Sequence, residues 1–287
     1  MNPMARLRAL PAPVRLALPV LPFLFACLAY VRWIEPRWVR VRITPVPMPS
    51  APAAWRIVHL TDLHLSPEVS LGYLERVFRQ AAALRPDLIC ITGDFMTDHL
   101  GDREGYAAAL RILSDAAPAF ACPGNHDGGL WARERGGYPD LAGLADVLGK
   151  ARIGLLENAA TSVDLPAGRV LIGGLGDIWA ARCDPDAIRA DFDTSTAPLK
   201  ILLTHNPDSK TKAAGIGWDL LLAGHTHGGQ FSLPFVGTPF APVRDKRYVS
   251  GLYGFEGRPL HVSPGIGNLH GIRFNCRPEI SVLDLSR

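Results

Sequence analysis

The sequence of 287 residues has little cysteine, and what it has is not arranged in pairs. The five cysteines are odd in number and show no CxxC spacing, and most of them lie in apolar runs typical of strands. They are Cys27, Cys90, Cys122, Cys183 and Cys276. This pattern argues against a disulfide framework. It predicts buried free thiols, which favour a reducing compartment.

The sequence also lacks an excess of positive charge outside its first 42 residues. Residues 1–42 contain seven arginines and one glutamate, a net charge of +6, whereas the whole chain carries +3. The remaining residues therefore carry a net −3 (+3 less +6). Nucleic-acid-binding domains carry a clustered basic excess, so we predict no nucleic-acid partner. The N-terminal arginines are suited instead to anionic lipid headgroups.

A long hydrophobic run is absent as well. The longest uncharged apolar stretch, residues 16–31, would span ~24 Å as a helix, less than the ~30 Å hydrocarbon core of a bilayer. Pro19 and Pro22 interrupt it. Trp33 and Trp38 follow it among arginines, as in an interfacial belt that makes up the missing length.

The N-terminal stretch has two interpretations, a membrane anchor and a secretory signal peptide. No small-residue cleavage site follows the apolar run, which favours an uncleaved anchor. We therefore predict an anchor in residues 1–42, with membrane contact through residues 16–42. Three arginines precede the run and four follow it, so charge alone does not decide the orientation. We expect the inner (cytoplasmic) membrane, with the catalytic domain on its cytoplasmic face.

The rest of the chain has the pattern of one α/β domain. Residues 43–54 are rich in proline and alanine and predict a linker, so the folded domain comprises residues 55–287. Short β-rich runs recur within it, at residues 55–60, 87–92, 119–122, 170–173, 199–204, 219–223, 260–262 and 280–285. Apolar residues at helical spacing occupy residues 74–84 and 106–117. The alternation of strands and helices predicts a layered fold.

Five short clusters of potential metal ligands each end or follow an apolar run. They are Asp62-Leu63-His64, Gly93-Asp94, Gly124-Asn125-His126-Asp127, His205, and Gly224-His225-Thr226-His227. Open α/β sheets place functional groups beyond the carboxyl ends of their strands, which gives these side chains one meeting place. Carboxylates, imidazoles and an amide oxygen together can hold two metal ions that activate water and clamp a phosphate.

Taken singly, most of these clusters also have an ordinary structural explanation. On an extended chain Asp62 and His64 would share one face, with Leu63 towards the core, but the pattern DxH is also common in solvated turns. His205 alone would be a hydrogen-bonded histidine at a strand end. Two histidines between glycines at residues 224–228 have few structural uses. Five such clusters in order favour a metal site over coincidence.

The order DxH, GD, GNH, H and GHTH resembles the calcineurin-like metallophosphoesterase superfamily over about residues 55–285. The resemblance implies an α/β fold of four layers, an α/β/β/α sandwich, here with an N-terminal hydrophobic segment and a binuclear centre at one edge. It implies that Asp62, His64 and His227 bind one ion, that Asn125, His205 and His225 bind the other, and that Asp94 bridges them. Two divalent ions are expected, Mn²⁺ first, with Fe²⁺ or Zn²⁺ as alternatives.

The resemblance also gives His126 the role of a histidine that binds no metal and faces the leaving group, which it protonates or stabilises. Some relatives orient this histidine with a carboxylate three residues beyond the bridging aspartate. In this chain that position is Thr97, so Asp98 and Asp127 are both candidates for the orienting carboxylate.

The residues after GHTH resemble a bacterial subgroup that contains phosphodiesterases and a membrane-linked pyrophosphatase acting on UDP-2,3-diacylglucosamine in lipid A synthesis. They include Gly228-Gly229-Gln230, Gly251-Leu252-Tyr253 and Ser263-Pro264-Gly265. We therefore predict a binuclear metal-dependent phosphoesterase that hydrolyses a phosphodiester or pyrophosphate bond with metal-activated hydroxide. Its substrate would be a phosphorylated small molecule or a lipid-linked compound. A phosphomonoesterase acting on small molecules or proteins, and a non-catalytic membrane tether, are the alternatives.

Overall fold

The computed structural model describes residues 12–48, 54–166 and 168–286. Arg6 and Arg8 of the basic N-terminal arm, and residues 49–53 of the predicted linker, lie outside the described residues. The described strands form two six-stranded sheets, with the orders β1-β12-β2-β3-β4-β5 and β10-β11-β9-β8-β7-β6.

The strands of the first sheet come from the two ends and the first half of the chain. They are β1 (Arg40–Pro47), β2 (Trp55–Leu60), β3 (Leu88–Thr92), β4 (Ala119–Cys122), β5 (Gly154–Leu155) and β12 (Glu279–Ser286). The second sheet comes from the second half of the chain. Its strands are β6 (Ala159–Leu165), β7 (Gly168–Gly174), β8 (Leu199–Leu203), β9 (Leu220–Ala223), β10 (Gly251–Phe255) and β11 (Arg258–Val262).

The central strands are apolar on both faces because each sheet is covered on both sides. Successive side chains of a strand point to opposite faces. In β3, Leu88 and Cys90 pack between the two sheets, whereas Ile89 and Ile91 pack against helices. In β8, Leu202 faces the outer side of the second sheet. This explains why the sequence shows short continuous apolar runs rather than an alternating pattern.

Helices cover both outer faces of the pair of sheets. They are α2 (Leu71–Ala82), α3 (Arg103–Ala116), α5 (Ala142–Lys150) and α6 (Asp186–Thr194). The other α-helices of the described residues are α1 (Ala12–Ala29), which precedes the sheets, and the short α4 (Leu130–Arg133). Phe78 of α2, Leu110 of α3 and Val147 of α5 belong to the core of the first sheet, and Phe192 of α6 packs on the second. The layers run α/β/β/α, which confirms the predicted fold class.

Short polar side chains fix the starts of the two longest covering helices. The Ser70 hydroxyl accepts a hydrogen bond from the N–H of Tyr73 at the start of α2. The Asp102 carboxylate accepts one from the N–H of Gly105 at the start of α3. Such caps satisfy N–H groups that have no partner within the helix, so the polar residues before each apolar stripe set where the helix begins.

The N-terminal part of the domain differs from the prediction. Residues 43–47, expected in a linker, belong to β1, which pairs in parallel with β12 along its whole length. Pro45 and Pro47 are compatible with this strand because it lies at the edge of the sheet, where a missing N–H breaks no interior ladder. The folded domain therefore includes β1 and does not begin at Trp55.

The segment before β1 packs on the domain through backbone contacts. The N–H of Arg273 donates to the carbonyl of Val31 at 3.0 Å, and the Arg32 guanidinium donates to the carbonyl of Gly271 at 3.2 Å. In α1, apolar side chains such as Phe25 are exposed, in this case by 68%. Among the described residues, none of the helices combines the length and the apolar character needed to cross a membrane.

The topology brings several strand ends to one edge. Strands β2, β3 and β4 are parallel neighbours, and so are β7, β8 and β9. Their carboxyl ends therefore lie at the same edge of each sheet. The seven predicted metal ligands follow the ends of β2, β3, β4, β8 and β9. This edge is where the candidate site lies.

Candidate metal centre

Asp62, His64 and His227 form a compact group of buried side chains. Nε2 of His64 lies 3.2 Å from Nε2 of His227, and Nε2 of His227 lies 3.2 Å from Oδ1 of Asp62. Two ring nitrogens and a carboxylate oxygen thus converge on one point. Ligands of a single divalent ion converge in this way.

Asp94, His205 and His225 form a second buried group. Nε2 of His205 lies 3.1 Å from Oδ2 of Asp94, and Nδ1 of His225 lies 3.1 Å from Nε2 of His205. The same Oδ2 of Asp94 lies 3.4 Å from Nε2 of His64, so it faces both groups as a bridging carboxylate would. Asn125 lines one cavity together with Asp94 and His225. The structure therefore brings all seven predicted ligands to one edge of the sandwich.

Backbone carbonyls determine which nitrogen of a histidine ring can face the centre. Nδ1 of His205 donates to the carbonyl of Thr92 at 2.7 Å, and Nε2 of His225 donates to the carbonyl of Pro242 at 3.0 Å. Because a carbonyl only accepts, the opposite nitrogen of each ring is the one that can bind a metal. Outer hydrogen bonds of this kind fix the tautomer and orientation of metal-binding imidazoles.

Five of the seven predicted ligands adopt left-handed backbone conformations, which are uncommon for residues other than glycine. They are Asp62, His64, Asp94, His225 and His227, with φ between 49° and 68°. The expectation that Asp62 and His64 share one face of an extended chain was therefore wrong. Left-handed turns after β2 direct Asp62 and His64, rather than the alternation of an extended strand. Each such conformation costs ~1–3 kcal/mol, and such strain clusters at functional sites.

The glycines of the motifs are required by close packing between the strand ends. A Cβ atom at Gly124 would lie 2.2 Å from Oδ1 of Asp94. A Cβ atom at Gly224 would lie 1.9 Å from Oγ1 of Thr61. No side-chain carbon fits at such distances, so only glycine lets these segments approach. Gly124 and Gly224 thus each have a steric reason to be glycine.

The residues at this site fit divalent metal ions. Asp62 and Asp94 are buried, and among the described residues no lysine or arginine forms an ion pair with either carboxylate. Three buried polar atoms also have no hydrogen-bond partner there, namely Oδ1 of Asp62, Oδ1 of Asn125 and Nδ1 of His227. Buried charge and unpaired polar atoms are costly unless a counter-ion or a metal compensates them.

Burial and mutual contact shift the pKa values within the centre. Burial raises the pKa of Asp62 to about 7. Burial opposes ionisation of both Asp94 and His205, but their contact outweighs it. The contact between the two side chains holds the pKa of Asp94 well below its ordinary value and the pKa of His205 well above its ordinary value. Burial lowers the pKa of the other three rings, those of His64, His225 and His227. Neutral imidazoles are the form that binds metal.

His126 lies beside the seven residues but is held by a different contact. Its Nδ1 donates to the carbonyl of Thr97 at 2.7 Å, which leaves Nε2 as the nitrogen available to a substrate. Its ring is edge-on to those of His64 and Trp131, with centroids 4.8 and 4.4 Å away. Its backbone N–H donates to Oδ1 of Asp94 at 3.0 Å. The geometry suits a group that donates or accepts a proton in the cavity.

The structure assigns the orienting hydrogen bond to neither Asp98 nor Asp127, which corrects the prediction. Asp98 is exposed. The buried Asp127 accepts from three backbone groups instead. The donors are the N–H groups of Asp94, Phe95 and Gly124, at 2.9, 2.7 and 2.7 Å. Burial and then the nearby Asp94 raise the pKa of Asp127 to about 7. Asp127 therefore fixes the loops that carry the ligands.

Two tryptophans at the site were missed by the sequence analysis. Trp131 contacts His126, and the Trp179 ring is edge-on to His225 with centroids 4.3 Å apart. The two indoles lie 6.2 Å apart. Asp177 holds Trp179 by accepting its backbone N–H at 2.6 Å. The sequence feature that could have indicated them is Gly176-Asp177-Ile178-Trp179, which follows β7 and places a further carboxylate at a strand end.

Three cavities adjoin at this edge. The central cavity has a volume of 330 Å³ and is lined by Asp94, Asn125, His126, Trp131, Trp179 and His225, among others. The apolar cavity has a volume of 410 Å³ and is lined by His227, Gln230, Phe231, Phe240, Leu269 and His270, among others. The basic cavity has a volume of 560 Å³ and is lined by Trp179, Asp208, Lys210, Lys212, Arg244 and Arg247, among others. The first two share His227, Pro242, Leu269 and His270.

We expect removal of metal to destabilise the protein, because bound ions would compensate the buried carboxylates. At ligand concentrations 100-fold above Kd, one site contributes ~2.7 kcal/mol to the free energy of unfolding. In a domain of this size that corresponds to a fall in Tm of roughly 5–10 °C on adding EDTA. Differential scanning fluorimetry measures it, and Mn²⁺ in excess should reverse it. An equal EDTA shift in Asp94→Ala would contradict this origin.

Comparison with known proteins gives consistent matches. The family model described as calcineurin-like phosphoesterase matches residues 56–229. Phosphodiesterase YaeI of Escherichia coli is 38% identical over 89% of this chain and 92% of its own length. UDP-2,3-diacylglucosamine pyrophosphatase LpxG of Chlamydia trachomatis is 28% identical over 93% of this chain and 94% of its own. A solved 5′-nucleotidase precursor from Thermus thermophilus has a TM-score of 0.49 at 17% identity, covering 73% of this chain and 48% of that one.

Proposed function

Since this chain belongs to the calcineurin-like phosphoesterase family, we propose that it hydrolyses a phosphodiester or pyrophosphate bond in a membrane-associated, lipid-linked substrate. Family membership makes it a metal-dependent hydrolase of phosphoric esters or anhydrides. The finer proposal concerns the kind of bond and the kind of substrate.

Two divalent ions would be held by the two ligand groups described above. Asp62, His64 and His227 would hold one ion, Asn125, His205 and His225 would hold the other, and Asp94 would face both. When bound, such ions activate water and stabilise charge on the attacking and leaving oxygens. Mixed nitrogen and oxygen ligands suit Mn²⁺, Fe²⁺ or Zn²⁺, and Mn²⁺ is the ion we would test first.

The remaining chemistry is assigned to residues of the chain. His126 presents Nε2 to the central cavity, and in this proposal it gives a proton to the departing oxygen. Thr97 keeps the ring in place through the hydrogen bond to Nδ1. Asp127 fixes the backbone on both sides of the site. General acid catalysis of this type contributes ~10²–10⁴-fold to a rate.

The observation that carries the substrate proposal is the apolar cavity beside the ligands. It shares His227 with the central cavity, and Phe231, Phe240 and Leu269 line it. In the loop that follows Phe231, the side chains of Phe235 and Val236 are exposed. An apolar surface next to phosphoester chemistry suits an acyl chain. A small polar phosphoester would gain nothing from it.

The N-terminal segment supports a membrane location. Arg32 binds the carbonyl of Gly271, directly after Leu269 and His270 of the apolar cavity. The exposed apolar side chains of α1 therefore precede a segment that contacts the loop lining the active site. We propose association with the inner membrane, with the domain on its cytoplasmic face. Arginines after α1 would meet anionic headgroups there.

The two relatives named above supply candidate substrates. One is a phosphodiesterase, and the other is a pyrophosphatase of UDP-2,3-diacylglucosamine. That compound joins a pyrophosphate to two acyl chains. It would place its phosphates in the central cavity and an acyl chain in the apolar cavity. We therefore propose it as the first substrate to test.

We expect purified, full-length, Mn²⁺-loaded protein to release UMP from UDP-2,3-diacylglucosamine in mixed micelles. We also expect kcat/KM for bis-p-nitrophenyl phosphate to exceed that for the monoester p-nitrophenyl phosphate by ~10-fold or more. The described lining of the central cavity contains no lysine or arginine to pair with the extra charge of a monoester. A preference for the monoester would favour the alternative phosphomonoesterase function.

A matched pair of variants separates lipid binding from the chemistry. Phe240→Ser should raise KM for the lipid substrate by ~10-fold, equivalent to about 1.4 kcal/mol. Phe240→Leu, which keeps an apolar side chain, should change it far less. Both variants should hydrolyse bis-p-nitrophenyl phosphate as the unmodified protein does. Equal effects on the two substrates would show that the apolar cavity does not bind an acyl chain.

A further inference from the structure

The basic cavity lies next to the metal centre. Trp179 lines both the basic and the central cavity, and its ring contacts the ring of His225. A substrate with its scissile phosphorus at the centre could therefore extend past Trp179 into a second space of 560 Å³. The proposed function makes no use of this space.

The side chains of this cavity carry a net positive charge. Four cations and two carboxylates line it, a net charge of +2. Arg247 is neutralised by Asp245, which accepts two hydrogen bonds from its guanidinium at 2.9 and 2.8 Å. Among the described residues, Arg244 and Lys212 form no ion pair with a carboxylate. Two exposed cations thus face the cavity without an acidic partner.

Lys210 is the buried cation of this cavity. Its exposed fraction is 3%, and its ammonium lies 4.3 Å from the centre of the Tyr248 ring. Nζ is 3.5 Å from Asp245 and 3.8 Å from Asp208, too far for hydrogen bonds. Both carboxylates are nevertheless within ion-pair distance, so they balance the charge of Lys210 without accepting a short hydrogen bond from it. The N–H groups of the ammonium therefore remain able to donate to an oxygen that a ligand brings into the cavity.

Resting on the proposed function, we propose that the basic cavity binds a second phosphoryl group of the same substrate. Lys210 and Arg244 would hold its oxygens, with Lys212 at the rim. Trp179 would lie between this group and the scissile phosphorus. A phosphoryl group fits better than a neutral sugar because the cavity carries a net positive charge and, among the described residues, Arg244 and Lys212 pair with no carboxylate. The site would thus select substrates that carry more than one phosphate.

Two chromogenic substrates that differ by one phosphate test this. They are thymidine 5′-(p-nitrophenyl phosphate) and its 3′-phosphorylated form, both of which release p-nitrophenol. With the metal-loaded, full-length protein, we expect KM for the 3′-phosphorylated form to be ~10-fold lower, as hydrogen bonds between charged groups imply. The two kcat values should be similar. Equal KM values would overturn the proposal.

Variants then locate the effect. Arg244→Gln, at an exposed position, and Lys210→Met should each remove most of the preference, by raising KM for the 3′-phosphorylated form alone. Lys210→Arg should retain it. Arg111→Gln, which alters an exposed arginine of α3 outside the cavity, is the matched control and should change nothing. A rise in KM for both substrates by the same factor would show a merely structural role.

A measurement of anion binding in crystals tests the proposal without relying on turnover. Crystals of the metal-loaded protein soaked in tungstate should show anomalous peaks at the metal centre and between Lys210 and Arg244. A peak at the metal centre alone would overturn the second phosphoryl site. If neither UDP-2,3-diacylglucosamine nor any of the chromogenic diesters were hydrolysed but both peaks appeared, the proposed function would fail and the anion site would stand.

Discussion

Replacing Asp94 by alanine is expected to abolish hydrolysis of every phosphoester and to remove bound metal. Oδ2 of Asp94 faces both ligand groups, 3.1 Å from His205 and 3.4 Å from His64. Its loss would leave neither group complete. Removing a single electrostatic group from a preorganised site costs ~10²–10³-fold in kcat, and loss of the metals should add to this. Steady-state kinetics and metal content by mass spectrometry measure both effects.

Asp146→Ala is the control for this experiment. Asp146 is a half-exposed carboxylate of α5 that pairs with Lys150, so its removal deletes the same charge without touching the site. It should keep activity and metal. An Asp94→Ala protein with two ions per chain would show that Asp94 is not a shared ligand.

Replacing His126 by alanine should lower kcat by ~10²–10⁴-fold while metal content stays unchanged. The reason is that Nδ1 is already used by the carbonyl of Thr97, so only Nε2 can act, and the proposal gives it to the substrate. His126 does lie close enough to His64 and Asp94 to be a ligand. Metal analysis of the variant therefore decides between the two roles.

A second variant distinguishes the two explanations for how His126 is oriented. If the Thr97 carbonyl holds the ring, Asp98→Ala should leave the rate unchanged, because Asp98 is exposed. A loss of rate in Asp98→Ala similar to that in His126→Ala would restore the carboxylate interpretation. Loss of one ion from His126→Ala would instead make this histidine a ligand.

The sequence was most informative where side-chain type alone determines the structure. The strands β2, β3, β4, β8 and β9 are apolar runs of the predicted type, and the ligands follow each of them. Close packing requires glycine at positions 124 and 224, directly before the ligands Asn125 and His225. The meeting of all seven residues at one edge follows from parallel strands, a property that the strand–helix alternation indicates.

The sequence was less informative where backbone atoms or distant segments decide. The orienting partner of His126 is a carbonyl, which every residue possesses, so no residue pattern could single out Thr97. Strand β1 reads as a linker because of its prolines. Its partner β12 lies at the other end of the chain, and only the edge position makes the prolines tolerable. The basic cavity combines residues from four separate stretches of the chain, namely residues 178–179, 208–212 and 244–247 and Phe255.

The left-handed backbone at five ligand positions has a consequence for the protein's evolution. Glycine adopts such conformations without strain, so replacing a ligand such as His64 by glycine should relieve strain in the metal-free protein while it removes a metal ligand. At these positions, a substitution by glycine that raises the stability of the metal-free protein would therefore lower its activity. A lineage released from selection for phosphoester chemistry would gain stability by losing its ligands. A non-glycine ligand at each of these five positions therefore costs the metal-free fold some of its stability.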